Sequence, residues 1–188
     1  AIEAGKRGRK VWLIDHAKKI GEKIRISGGG RCNFTNLHTR PETYLSRNPH
    51  FCKSALKQYT HYDFMDLVQR HNIAYHEKKL GQLFCDESAQ QIIDMMVTEC
   101  REAGVIITKS TSVSSVSFDS HRYQVCTTQG NALCESVVIA TGGLSIPKIG
   151  ATKFGYDIAR QFGIPVIDTS AALVPLTFTS DILEFCKN

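Results

Sequence analysis

No run of apolar residues in this chain approaches the ~20 that a membrane-spanning helix requires. No N-terminal stretch shows the basic, apolar and small-residue order of a signal peptide, so a soluble, cytoplasmic protein with no membrane partner is expected. Paired cysteines are lacking too. The seven thiols, at positions 32, 52, 85, 100, 126, 134 and 186, are odd in number, scattered and never spaced Cys-x-x-Cys. That spacing indicates neither a disulfide framework nor a zinc site, and most of the thiols read as small core residues. His71 and His76 stand five apart, off a common helical face, which makes them poor metal partners, and no metal is expected. Repeats, low-complexity tracts and an initiator methionine are also missing.

What is present suits a globular domain. A length of 188 residues with 42% hydrophobic content can bury a core in one medium domain, with or without a small appendage. The net charge is +5, from 23 basic and 18 acidic residues. Many cations crowd the first third: Lys6, Arg7, Arg9, Lys10, Lys18, Lys19, Lys23, Arg25 and Arg31. A polyanion would fit such a cluster, yet it lacks the interleaved aromatics of a single-strand platform and any helix-turn-helix, K-homology or zinc-finger pattern. A phosphate-bearing small cofactor accounts for it equally well, and Lys18 and Lys19 also read as a solvated charge pair.

Along the chain, "AIEAGKRG" predicts the last turn of a helix closing on Gly5, and "KVWLID" a short strand ending in Asp15. Residues 41 to 72 place apolar positions at helical spacing and predict two or three short helices. "IAYHE" and "QLFC" read as strands. Ser88 with Gln91 three residues on is a capping box, and Ala89, Ile92, Ile93, Met96, Val97 and Cys100 then mark one helical face that Gly104 ends. "VIITK", "TSVSSVSFD", "RYQVCTTQ" and "ESVVIATGG" are predicted β segments, with Val137 to Ala140 expected as a buried parallel strand. "FGYDIARQFG" predicts a further helix.

A strand tipped by an acid after a helix end is the second half of a βαβ unit. In dinucleotide-binding folds that acid accepts hydrogen bonds from a ribose, and a glycine fingerprint lies ~20 residues upstream. That position would precede residue 1, so the chain is expected to be an internal fragment lacking the first strand and its fingerprint. In "RISGGGRCNFTN", residues 25 to 36, three glycines precede Arg31, Cys32 and Asn33. Glycines recur where the backbone needs left-handed angles or comes close to a ligand, although a flexible surface loop has the same composition.

"ISGGGRCNFTN", "VVIATGGLSIPKIGATKFGYDIA" and the unit beginning "GQLF" together resemble the bacterial family of NAD(P)/FAD-dependent oxidoreductases typified by YhiN and BaiN, distantly similar to fumarate reductase and succinate dehydrogenase flavoproteins. The resemblance implies an α/β fold: a partial Rossmann-like FAD-binding domain, a parallel sheet plus a β-meander, over residues 1–172. It also implies that an inserted β-rich domain starts at 173–188. Its implied cofactor is FAD, with NAD(P)H as the electron donor. By the same resemblance Asp15 is the ribose acid, where glutamate is the usual choice. Ser27, Gly28, Gly29, Gly30, Arg31, Cys32 and Asn33 match the loop beside the pyrophosphate and flavin. Val113 matches a position whose backbone addresses adenine, and Thr141, Gly142 and Gly143 match a turn along the cofactor.

Each residue also has a plainer reading: Asp15 as a strand end, Cys32 as a structural thiol rather than a nucleophile, and Val113 as core. The implied parent enzyme transfers hydride from NAD(P)H to a small-molecule substrate through FAD, with no nucleic-acid partner, and the isolated chain is expected to be inactive. An amine oxidase of the aminoacetone type and a basic nucleic-acid-binding module are the alternatives. Neither a catalytic acid or base nor the oligomeric state follows from the sequence.

Overall fold

A computed structural model describes residues 1–170, so the expected start of a second domain at 173–188 lies outside the described residues. The chain divides into two compact units. The first holds Ala1–Val138 with Ile146–Gly150, and the second holds Ile139–Ser145 and the described residues from Ala151 onward.

The first unit opens with α1 (Ile2–Lys6), which runs past the expected stop at Gly5. Gly8, at φ 76°, ends it instead: its N–H reaches Gly5 O at 2.8 Å and the Arg9 N–H reaches Ala4 O at 3.1 Å. This double closure is the glycine-terminated form of a helix end. Gly5 has a different purpose, since a Cβ there would stand 2.3 Å from Ala103 O. The missing side chain lets α1 lie directly on the end of α5 (Ala89–Glu102).

β1 (Trp12–Ile14) pairs in parallel with β5 (Ile106–Thr108), Leu13 opposite Ile107, and Trp12 Nε1 donates to Thr108 Oγ1 at 2.7 Å. Between them in sequence come α2 (Glu22–Ile26), β2 (Asn33–Asn36), α3 (Lys53–Gln58), α4 (His61–Arg70), β3 (Tyr75–Glu77), β4 (Gln82–Cys85) and α5. β2, β4 and β3 form an antiparallel sheet in that order. β6 (Val113–Phe118), β7 (Tyr123–Thr127) and β8 (Gly130–Cys134) form the meander. α6 (Phe154–Gln161) belongs to the second unit. The fold is α/β, with one parallel and two antiparallel sheets among the described residues.

Both longer helices of the first unit start on capping boxes. Asp63 N donates to Thr60 Oγ1 at 3.2 Å and Thr60 N to Asp63 Oδ2 at 2.6 Å, while at α5 Gln90 N donates to Ser88 Oγ at 3.1 Å. α5 buries Ala89, Ile92, Ile93, Met95 and Cys100; Met95 is fully covered, where the spacing alone pointed to Met96 and Val97. The core gathers Leu67, Val68, Ile73, Cys85, Ala89, Ile92, Met95 and Cys32, with Phe34, Phe64 and Tyr75 packed against it.

Two expectations fail. Val137–Ala140 forms no strand, and Val138 is 85% exposed. A parallel strand exists only beside a partner's row of N–H and C=O groups, and among the described residues β1 and β5 pair with each other alone. β8 was not expected, because "GNALC" has little β-propensity; it forms on the free edge of β7, closed by Thr127 Oγ1 donating to Gly130 O at 2.6 Å.

Glu99, a buried carboxylate on α5, ties distant elements together. Lys6 Nζ lies 2.6 Å from Oε2 and His71 Nε2 lies 2.9 Å from Oε1. The His71 contact, followed by that of Lys6, holds the Glu99 carboxyl below its ordinary value of 4.5. A depressed carboxylate favours folding above its unfolded pKa, and that contribution disappears as pH falls through the native value. Glu99→Gln should therefore cost about 1–3 kcal/mol at neutral pH, and its deficit against wild type should shrink on acidification below about pH 4.5. Urea midpoints across that range measure this; a gap independent of pH would refute it.

Candidate functional site

The sequence-predicted residues fall into three groups. Asp15 follows β1 directly. Its N–H donates to Thr108 O at 2.9 Å and its C=O accepts from Thr111 N at 3.0 Å, so the residue is fastened to the end of the parallel pair. One carboxylate oxygen, Oδ1, accepts from Ala17 N at 2.9 Å and turns the chain away from the strand; His16 Nδ1 lies 3.8 Å from the same oxygen. Thr111, which nothing in the sequence singled out, is only 1% exposed, and its hydroxyl donates to Lys109 O at 2.9 Å. It locks the strand tip on which Asp15 sits. Val113 starts β6 two residues on, half-buried and opposite Thr127, so it is tied by the chain to the same end.

The second group is the glycine loop. It follows α2, where Ser27 Oγ donates to Ile24 O at 2.7 Å and Cys32 N to Ser27 O at 3.0 Å, closing a tight turn around the triplet. Gly28, Gly29 and Gly30 take φ values of 58°, 66° and 87°, a run of left-handed backbone that side-chain-bearing residues resist. Their surroundings differ. A Cβ on Gly28 would stand 2.7 Å from both Asn33 N and the Phe84 ring, whereas nothing lies within 4 Å of one on Gly29 or Gly30. Gly28 is thus a packing glycine. Gly29 and Gly30 leave their backbone open to an approaching group, beside the exposed Arg31.

The loop is backed by β4: Cys85 N donates to Arg31 O at 3.0 Å and Asn33 pairs with Phe84. Cys32, at φ 51° and 5% exposed, is part of the core. Burial pushes its thiol up, and burial with Cys32 nearby pushes the Cys85 thiol to about 11. Both are protonated at neutral pH, which suits structural thiols and opposes a nucleophilic role.

Thr141, Gly142 and Gly143 make the third group, in the second unit. A Cβ on Gly155 would meet Thr141 Oγ1 at 2.8 Å, so that glycine lets α6 seat against the turn, and Gly142 has φ 73°. Among the described residues no group of three or more His, Cys, Asp or Glu side chains is placed to hold a metal ion, and no helix is long and apolar enough to cross a membrane. His76 Nδ1 lies 2.7 Å from Asp86 Oδ1, apart from the His71–Glu99 pair.

Comparison with known proteins matches residues 1–180 to the family described as HI0933-like protein Rossmann domain. The chain is 56% identical over 181 residues to a protein of Escherichia coli named ribosomal RNA dihydrouridine synthase, covering 96% of this chain and 45% of that protein. It is 52% identical over 184 residues to a Haemophilus influenzae protein of the same name, covering 95% of this chain and 45% of that one. A 3-dehydro-bile acid delta(4,6)-reductase of Clostridium scindens is 23% identical over 168 residues, covering 89% of this chain and 41% of that one. The chain spans less than half the length of these curated relatives. With the match running from the first residue through β1, the glycine loop, the meander and α6, the chain belongs to the HI0933-like Rossmann-domain family.

Proposed function

We propose that the whole protein is an FAD-dependent reductase that adds two hydrogens across the C5=C6 bond of uridine in ribosomal RNA, drawing electrons from NAD(P)H. The observation that carries this reading is the 56% identity across 96% of the chain to the E. coli protein named for that product. The more distant relative is named a reductase. An RNA substrate departs from the small-molecule acceptor expected from the sequence, and it gives the net charge of +5 a polyanionic counterpart.

The open backbone at Gly29 and Gly30 fits a dinucleotide better than a closed loop would. When bound, FAD supplies the hydride chemistry, and the protein supplies position and electrostatics. In this reading Asp15 receives ribose hydroxyls, the open backbone of Gly29 and Gly30 and the Arg31 guanidinium hold the diphosphate with Gly28 packed behind them, and the Val113 backbone meets the adenine. Ser27, Cys32 and Asn33 shape the loop from beneath through their turn and strand contacts.

The test uses the purified full chain. With NADH or NADPH and ribosomal RNA lacking the modification, anaerobic incubation should consume reduced nicotinamide and yield dihydrouridine detectable by mass spectrometry of digested RNA. Flavin-loaded protein that makes no dihydrouridine, or that releases peroxide from an amine instead, would point to the oxidase alternative.

A further inference from the structure

We propose that residues 38–59 form the surface that docks the single-stranded part of the RNA, with one base seated in a cavity beside Tyr44; this rests on the RNA reading above. The segment links β2 to α3 and continues through it. It carries Arg40, Arg47, Lys53 and Lys57 against Glu42 as its one carboxylate. All four cations are exposed, and none is ion-paired among the described residues. Interleaved with them are Tyr44, Phe51 and Tyr59, with 49%, 80% and 52% of their surfaces exposed. Leaving a Phe ring in water forgoes the favourable burial of its apolar surface. Three such rings alternating with unpaired cations are the composition of a single-strand platform, in which rings stack on bases and cations follow phosphates.

The rings are presented by local turns. Tyr44 N donates to Pro41 O at 3.1 Å, Phe51 N to Asn48 O at 3.1 Å, and His50 N to Asn48 Oδ1 at 3.0 Å. Backbone order without burial of the rings holds them ready for a partner.

Beside Tyr44 is a cavity of about 340 Å³ lined by Asn36, His38, Thr39, Thr43, Tyr44 and Leu80. Its wall is fixed: Asn36 Nδ2 donates to Leu80 O at 3.0 Å and Asn36 Oδ1 accepts from His38 N at 2.7 Å. Gly81, at φ 76°, permits this closeness, because a Cβ there would stand 2.8 Å from both Asn36 Oδ1 and His38 Cδ2. The hydroxyls of Thr39 and Thr43 donate to Asn36 O and Arg40 O, which leaves their oxygens as acceptors for a base N–H, while Tyr44 adds its half-exposed aromatic ring to the lining. This is the mixed lining of a nucleobase socket.

Fluorescence anisotropy of a short labelled oligouridylate with the flavin-loaded full chain tests the proposal. Phe51→Ala should weaken binding roughly 5- to 150-fold, with Phe51→Trp restoring it. Tyr44→Ala should behave like Phe51→Ala, and Arg47→Gln should flatten the salt dependence by about 0.7 in log–log slope. Melting temperature and flavin content should stay at wild-type values throughout. RNA affinity unchanged in these variants, while the wild type binds, overturns the docking surface and leaves the enzymatic reading intact. A fall in melting temperature with unchanged RNA affinity also overturns it, since the rings would then pack against the protein's own chain. A wild-type chain that does not bind the oligouridylate at low salt also overturns the docking surface, while the enzymatic reading stands or falls separately on dihydrouridine formation in ribosomal RNA.

Discussion

Gly28→Ala is expected to destabilise the full chain by about 2–5 kcal/mol, the sum of about 1–2 for a side chain in left-handed backbone and about 1–3 for overpacking. The new methyl group would press on Asn33 N and on the Phe84 ring, both at 2.7 Å. Neither yields easily: Asn33 is paired with Phe84 across two strands, and Phe84 is 7% exposed. Gly29→Ala meets no neighbour within 4 Å, so only the backbone term of about 1–2 kcal/mol applies. Thermal or urea unfolding of the two variants side by side separates the contributions. Equal stability would mean that Phe84 and β2 relax freely around the added carbon, contrary to the packing described here.

At Gly29 the large expected effect is on the cofactor. Gly29→Val keeps the fold at a cost of about 1–2 kcal/mol, but its branched side chain fills the open space through which the loop backbone would reach a diphosphate. The expected result is a colourless full chain: blue-region flavin absorbance lost after gel filtration, with circular dichroism close to wild type. Retention of stoichiometric flavin by Gly29→Val would remove the loop from the FAD site, while the packing role of Gly28 would stand untouched. The pair of variants thus separates two uses of one triplet that its composition cannot tell apart.

Much of the local architecture was legible in advance. The box at Ser88, the recurrence of Ile92, Ile93 and Cys100, and the stop at Gly104 specify α5 through interactions within a few residues, and the helix appears where they place it. The candidate site was only partly legible. "SGGG" declared left-handed backbone, and all three glycines adopt it, but which of them packs and which stays open depends on Phe84, more than fifty positions away. Thr111 carried no signal because its importance lies in a hydrogen bond to the Asp15 carbonyl. Of the rings in 38–59 only Tyr59 was readable, as a helix-spaced apolar position; Tyr44 and Phe51 carried no signal, and exposure gives all three another meaning.

The sequence by itself determined what depends on neighbours along the chain: the capped helices, the short strands, the glycine triplet and the acid that follows β1. Tertiary structure alone decided what depends on partners: that β1 meets β5, that Val137–Ala140 pairs with no strand among the described residues, that Gly5 exists to admit Ala103, and that Glu99 gathers Lys6 and His71. The division is physical. Caps and turns are completed by groups three or four residues apart, whereas ladders, close approaches and buried charges are completed by groups far along the chain, 98 positions apart for Gly5 and Ala103, which local patterns cannot identify.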